Sequence, residues 1–270
     1  MELLIHFCDE RRPDRFAEYL FCLEQNMANC YISKIHCLRM AGVVLPDHVL
    51  NCHKIIFIDV DHRPTFKELF EYANSNMLGS AVAIANLDIF LSHENNWVEV
   101  EKTLGGSNKL VLAQSRTEYE NATNQFLDPD LDGLSYANAQ DAWVFKTPIF
   151  LDDVDFEIGT IGADNALANR FKKAGYIPVN LASRYRVYHY DVCRGKTSTN
   201  AVNVHYNESK DLGSVFTRKP EERGYYLVPD FDRMKSIDSV LDGLGVDDIT
   251  KYIIICDILS QFIKIDNSVD

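Results

Sequence analysis

Two polar triplets stand directly behind apolar runs in this chain. Asp59-Val60-Asp61 follows Ile55-Ile56-Phe57-Ile58, and Asn86-Leu87-Asp88 follows Ala81-Val82-Ala83-Ile84-Ala85. Carboxylate oxygens are hard donors, so either triplet could hold a divalent cation. The plainer reading of Asp88 is a strand-end turn residue. Further along, Gly159-Thr160-Ile161-Gly162-Ala163-Asp164-Asn165 sets an acid behind a glycine-rich turn. Glycines let a ligand come close to the backbone, although Asp164 would equally serve to cap a helix. Gln140-Asp141-Ala142-Trp143-Val144-Phe145 puts an acid at the head of a Trp-bearing run. Trp143 could stack on a ring, but a strand Trp is more often core. Tyr188-His189-Tyr190 offers an imidazole that is either a ligand or a satisfied strand histidine. Asp9, Arg11 and Arg12 follow the first apolar run, and Arg63 precedes Pro64; these are phosphate-binding candidates or ordinary solvated charges.

The elements that must position these residues alternate in type. Leu3–Phe7 reads as a strand, and Pro13 can open a helix with Phe16, Leu20, Leu23 and Met27 on one face. Tyr31–Leu38 reads as a second strand and Lys54–Val60 as a third, fully buried one. Pro64-Thr65 opens a helix with Phe66, Leu69, Phe70 and Ala73 inward, ended by Gly79. Ser80–Leu91 reads as one long strand. Lys109–Ala113, Ala142–Phe145, Tyr176–Val179 and Tyr185–Tyr190 are strand-like, 121–138 is a polar loop, and Asp164–Ala174 is a helix ended by Gly175. Residues 191–223 carry only a weak polar pattern, and Ile253–Ile265 is a further helix or strand. This order predicts an α/β fold with a mostly parallel sheet flanked by helices, in which ligands bind beyond the carboxyl ends of the strands. A domain over residues 1–190 and a C-terminal extension over 191–270 packing on it are expected.

Composition narrows the function. Of 270 residues, 46% are hydrophobic and 25% charged, enough for a real core. The net charge of -13 lacks the basic face that phosphate backbones require, so nucleic acid is not an expected partner. Seven cysteines, an odd number with no CxxC pair, fit a reducing compartment better than a disulfide framework. No apolar segment is long enough for a membrane span and the start lacks a signal-peptide pattern, so a cytoplasmic location, of a cell or an infected host cell, is expected. Asp128-Pro129-Asp130-Leu131-Asp132-Gly133 begins like a calcium loop, but Ala139 stands where its closing acid belongs. Neither a P-loop, a GxGxxG turn, a GxSxG elbow nor an HExxH helix occurs.

Ala73-Asn74, then Gly79 leading into Ala83-Ile84-Ala85-Asn86-Leu87-Asp88, resembles the stretch of GT-A type glycosyltransferases in which a helix precedes the DxD strand. The turn 159–165, the segment 140–145 and the late His189 follow in the order of that family. The resemblance covers roughly residues 1–190, closest in kind to compact enzymes of bacterial surface glycans and large DNA viruses. It implies a GT-A, Rossmann-like domain moving a hexose or deoxyhexose from a UDP- or GDP-sugar to a hydroxyl of a glycan or glycoprotein acceptor. Mn2+ or Mg2+ would be held by Asp88, with Asn86 and His189 helping. Asp164 would be the catalytic base, with Asp141 in reserve, and Asp9, Arg11, Arg63, Asn86, Asp88 and Trp143 would bind the nucleotide sugar. Asn86 departs from the family's usual Asp, and Asp191 stands where a second histidine is common. The alternatives are a nucleotidyltransferase, for which a phosphate loop rich in Gly, Arg and Lys is missing, and a non-catalytic sugar- or nucleotide-binding module on the same scaffold.

Overall fold

The computed structural model describes residues 1–107, 109–119, 140–160, 162–193, 226–234 and 247–266. In chain order its elements are β1 (Glu2–Phe7), α1 (Pro13–Ala28), β2 (Lys34–Met40), α2 (Asp47–Leu50), β3 (Ile55–Val60), α3 (Phe66–Asn76), β4 (Ala81–Ala85) and β5 (Ile89–Leu91). There follow α4 (Trp97–Gly106), β6 (Leu110–Glu118), β7 (Gln140–Lys146), α5 (Ala163–Lys173), β8 (Ile177–Val179), β9 (Val187–His189), α6 (Phe231–Met234) and α7 (Asp248–Asp266).

Local chemistry sets several element ends. Pro13 occupies the first turn of α1, where its missing N–H costs no hydrogen bond. At α3 the Thr65 hydroxyl accepts from the Glu68 N–H at 3.3 Å while Glu68 accepts from the Thr65 N–H at 2.8 Å, a reciprocal capping box. Helix α5 ends as its pattern demands: Gly175 takes a φ of 82°, its N–H donates to the Lys172 carbonyl, and the Tyr176 N–H donates to Phe171.

The strands lie in the order β3-β2-β1-β4-β7-β6-β9-β5, with β8 beside β6. The first four are mutually parallel, with Leu4 opposite Ile84 and Cys37 opposite Phe57. Strand β7 runs antiparallel to both β4 and β6, so the sheet is mixed. Helices cover both faces. Leu4, Val82, Ile84, Trp143 and Phe145 pack against α3, α5 and the tail residues Tyr226, Val228, Tyr252 and Cys256. Leu3, Ile5, Phe7, Ala83 and Val144 pack with α1 and α4 through Tyr19, Leu23, Trp97 and Leu104. The architecture is α/β and Rossmann-like. The chain leaves β1 towards β2 on one side and returns as β4 on the other, making a topological switch point at the carboxyl ends of β1 and β4.

Three sequence expectations need correction. Strand β3 is an edge strand, with Ile55 buried but Ile56 40% exposed, so its apolar run is not covered on both faces. The stretch 80–91 is two strands, not one: Asn86-Leu87-Asp88 forms the turn that carries the chain from β4, paired with β1, to β5, paired with β9. The buried face of α1 is Arg15, Glu18, Tyr19, Cys22, Leu23 and Asn26, and Phe16, Leu20 and Met27 are half-buried. A charged pair displaced the expected apolar stripe because its partners lie on other elements. The loop 121–138 and the calcium-loop-like run within it lie outside the described residues, as does most of 191–223. Among the described residues no helix is long and apolar enough to cross a membrane, and all seven cysteines are free thiols.

Candidate functional site

The β4–β5 turn places Asp88 at the switch point, beyond the carboxyl end of β4, and the turn is pinned from two sides. The Asn86 N–H donates to the Asp141 carbonyl at 3.1 Å, and the Tyr190 N–H donates to the Asp88 carbonyl at 3.0 Å. The Asp88 carboxylate is buried and ion-paired to the Arg15 guanidinium of α1. His189 of β9 reaches the same Asp88 oxygen through Nε2 at 3.2 Å and donates or accepts through Nδ1 at Glu118 Oε2, 2.7 Å away. Glu118 in turn accepts from Arg116 Nε at 2.8 Å, and Arg116 Nη1 reaches Asp141 Oδ2 at 3.1 Å. Asn86 Nδ2 donates to Asp141 Oδ1 at 3.0 Å. At the other end Arg15 Nη1 donates to Glu18 at 2.7 Å and to Asp191 at 2.9 Å.

These contacts form one continuous polar row, from Glu18 and Arg15 on α1, through Asp88 and His189, to Glu118, Arg116 and Asp141 on β6 and β7. Burial alone would strip the charge from these groups; opposite neighbours restore it. Burial opposes protonation of His189, but Asp88 and Glu118 outweigh it and raise its pKa to about 9. Burial likewise works against the Glu118 carboxylate, yet His189 and Arg116 hold its pKa below the usual range.

Asp164 completes the row differently. It lies in the first turn of α5, whose N-cap is Gly162 in the left-handed region at a φ of 76°, so it is not the capping residue. Burial, then the nearby negative charge of Asp141, pushes its pKa well up, while Arg116 partly offsets this. Among the described residues no hydrogen bond reaches its carboxyl. Asp141 is anchored by Arg116 and Asn86, whereas Asp164 has no such partner among the described residues; two neighbouring carboxyls in unlike environments is the usual basis of an acid/base division. Gly159, with a φ of 74°, brings the preceding turn over Asn86: a Cβ built there would lie 3.8 Å from Asn86 Oδ1.

The structure thus brings Asn86, Asp88, Asp141, Asp164 and His189 together from four separate stretches of sequence. Others it does not bring in. Trp143 is a core residue, 2% exposed and stacked on Phe171 with centroids 5.2 Å apart, so it presents no face to a sugar. Asp9 and Arg11 are exposed after β1, and Arg12 is engaged with Asp14. Arg63 is half-buried near His6 and Cys8. Arg15, Glu18, Arg116 and Glu118 were not foreseen. The i,i+3 spacing of Arg15 and Glu18, and the i,i+2 spacing of Arg116 and Glu118 on a strand extended past Ala113, are the signals that could have found them.

A resident divalent ion does not fit the row as arranged. The neighbours of Asp88 are cationic groups rather than further oxygen donors, and both ring nitrogens of His189 already face carboxylates. Among the described residues no group of three or more His, Cys, Asp or Glu is placed to hold a metal.

No family model and no curated protein matches the chain. Among solved structures it is similar to S. aureus TarS 1-349 in complex with UDP-GlcNAc, at 8% identity and a TM-score of 0.44, over 71% of this chain and 59% of that one. TarS 1-349 alone gives 9% and 0.45, over 70% and 60%. A protein described as a glucose-1-phosphate thymidylyltransferase from Bacillus anthracis gives 12% and 0.40, over 71% and 86%. The chain spans about three fifths of the TarS fragment. At these identities and TM-scores the likeness transfers neither an activity nor a residue role to this chain.

Proposed function

We propose that this chain is a GT-A type glycosyltransferase that moves a hexose or deoxyhexose from a UDP- or GDP-sugar to a hydroxyl of a glycan or glycoprotein. The observation that carries the reading is the convergence of Asn86, Asp88, Asp141, Asp164 and His189 in one polar cluster at the switch point of a Rossmann-like sheet. Glycosyl transfer needs a group to receive the acceptor's proton and a charged frame to hold the donor. Asp164 is offered for the first task, because burial beside Asp141 raises its affinity for a proton. Asp141 orients Asn86 and Arg116 around it. Asp88 fixes Arg15 and His189, cations that would offset the negative charge of a leaving diphosphate. Mn2+ or Mg2+ carried in on the donor's diphosphate, rather than held by the row, belongs to the proposal, as does a cytoplasmic place of action.

The test is thermal stability of the full chain against UDP, GDP, CDP and ADP, each with Mn2+ and with a chelator. A ligand that binds only the folded state raises the midpoint by mass action. A shift for one nucleotide names the donor class, and its dependence on Mn2+ decides metal use. With the matching nucleotide sugar, Asp164→Asn is expected to slow release of the nucleoside diphosphate by about 10²–10⁴-fold while leaving the thermal shift in place. Binding with no turnover in the wild type would favour the non-catalytic module, a reading to which Asn86 lends some weight. No shift with any nucleotide would end the proposal.

A further inference from the structure

A cavity of about 500 Å³ lies between α3 and the segment 149–155, and it shares no residue with the polar row. The segment runs antiparallel along the helix and is tied down at both ends. Asn74, near the end of α3, holds Ile149 twice: its Nδ2 donates to the Ile149 carbonyl at 2.6 Å, and its Oδ1 accepts from the Ile149 N–H at 2.8 Å. At the start of the helix the Lys67 N–H donates to the Val154 carbonyl at 3.0 Å. Between these ties Arg170 donates to the Asp153 carbonyl at 3.1 Å and to its carboxylate at 2.7 Å. Phe150 is displayed from this fixed strap at 70% exposure, the only exposed Phe, Tyr or Trp among the described side chains. Its N–H donates to the Tyr176 hydroxyl at 3.3 Å, so the ring stands out from an anchored backbone.

The lining combines an apolar floor with an acidic rim. Phe70, Ile149 and Val154 are buried, whereas Glu71, Asp152 and Asp155 are exposed carboxylates. Asp153 is paired with Arg170, but among the described residues no hydrogen bond or ion pair engages the Glu71 or Asp152 carboxylate. Lys67 is the one cation in the lining. An exposed aromatic beside an apolar floor marks a contact surface, and the acids select what it contacts. A small-molecule site encloses most of its ligand. Here Lys67, Glu71, Phe150, Asp152 and Asp155 leave the rim open to water. From Lys67 to Asn74 the helix rises roughly 10 Å, room for about three extended residues. The whole chain carries a net charge of -13, which attracts a cationic partner and repels an acidic one, a second copy of this chain included.

We propose that the groove between α3 and the 149–155 strap is a docking site for a protein segment that presents an arginine or lysine within three residues of an apolar side chain. The apolar side chain packs against Phe150, over the floor of Phe70, Ile149 and Val154. The cation faces Glu71 and Asp152, where a guanidinium can make two parallel hydrogen bonds to one carboxylate. Lys67 disfavours a second cation, so a run of basic residues is not the expected occupant. The site stands apart from the donor chemistry proposed above.

An array of Gly/Ser decapeptides, each with one Arg or Lys and one Leu, Phe or Trp one to three residues away, is probed with the labelled full chain. Control peptides carry Glu for the cation or Ser for the apolar residue. Wild type should be retained by the peptides with both features and not by either control set. Phe150→Ser should lose about tenfold in affinity for the best peptide. Glu71→Gln combined with Asp152→Asn should lose a similar factor, and its remaining binding should respond less to salt. Val44→Ser, which removes an 83% exposed apolar side chain elsewhere, should bind as wild type does. All of these side chains are exposed, so the thermal midpoints should stay at the wild-type value. Equal retention by the peptides with Ser for the apolar residue would make the groove a site for a bare organic cation and overturn the proposal. So would equal binding of the Glu peptides, undiminished binding by Phe150→Ser, or no retention by any peptide of the array. Sedimentation of the full chain tests the other occupant: a dimer that Phe150→Ser dissociates would assign the groove to a second copy and end the proposal as well.

Discussion

The carboxyl ends of β3 and β4 carry polar triplets of similar sequence, Asp59-Val60-Asp61 and Asn86-Leu87-Asp88. By composition the first is the better metal site, a literal DxD. In the fold it ends the outermost strand: Asp59 is exposed and ion-paired to Arg39 at 2.7 Å, and the nearly fully exposed Asp61 pairs with His62 at 2.6 Å. The second ends a strand at the centre of the sheet, where α1, β6, β7 and β9 all reach it. The same chemical groups are solvated counter-ions in one place and members of a buried network in the other. Position in the sheet order, more than the triplet itself, decides what an acid can do, because only the switch point has enough neighbouring elements to desolvate a carboxylate and then compensate it.

The largest expected contrast lies between the arginines of the two ends. Arg15→Met would leave Glu18, Asp88 and Asp191 facing one another with their shared cation gone. Breaking a buried ion pair from one side costs about 3–5 kcal/mol, whereas an exposed pair contributes about 0–1 kcal/mol, so Arg39→Met should be nearly silent. Urea unfolding of the two variants measures the difference. Equal midpoints would mean that the Arg15 network is no more than a surface cluster.

The histidines sharpen the comparison by pH. His189 faces Asp88 and Glu118 at hydrogen-bond distance, Asp191 at 3.7 Å, and the opposing charge of Arg116. Its folded pKa, about 9, lies above the ordinary 6.5. The folded state therefore binds this proton more tightly than the unfolded chain. The stabilisation is complete below pH 6.5 and disappears as pH rises through about 9. The stability gap between wild type and His189→Gln should accordingly be on the order of 2–3 kcal/mol at pH 6 and close by pH 10. His62 also has a raised pKa, from Asp61 and then Glu68, but both pairs are open to solvent. His62→Gln should show little pH dependence, and less still at high salt. A flat difference curve for His189 would mean that its carboxylate partners do not hold the ring charged.

How much of this was legible in the sequence follows the range of the interactions. Pro13, the Thr65–Glu68 box and Gly175 act within a turn or two, and the starts of α1 and α3 and the end of α5 can be read from them. The alternation of apolar runs and helices gives the Rossmann-like half. Burial of Arg15 is not local: its main partner Asp88 lies 73 residues away, and nothing in a helical pattern reveals a cation whose counter-ions arrive from other elements. The same holds for Arg116 with Asp141, and it is why the sequence points to Arg11 and Arg12, nearer the first strand, which lie outside the row. The break between β4 and β5 was hidden because Asn86-Leu87-Asp88 keeps the apolar alternation while the chain turns.

The smallest effects are expected at the β3 end itself. Asp59→Asn and Asp61→Asn each remove one carboxylate from water rather than from a protein interior. Asp59 holds only Arg39, a residue 21% exposed that also stacks over Phe57 with 5.1 Å to the ring centroid and so keeps its place without the acid. Asp61 holds His62, which retains Glu68 at 2.8 Å. Each variant should stay within about 0.5 kcal/mol of wild type, as surface substitutions away from special features do. Each should also leave any nucleotide-induced thermal shift untouched. A lost shift in either one would move the donor site from the switch point to the sheet edge. It would then be the literal acid-x-acid sequence, rather than the place where β1 and β4 diverge, that determines where this fold binds its ligand.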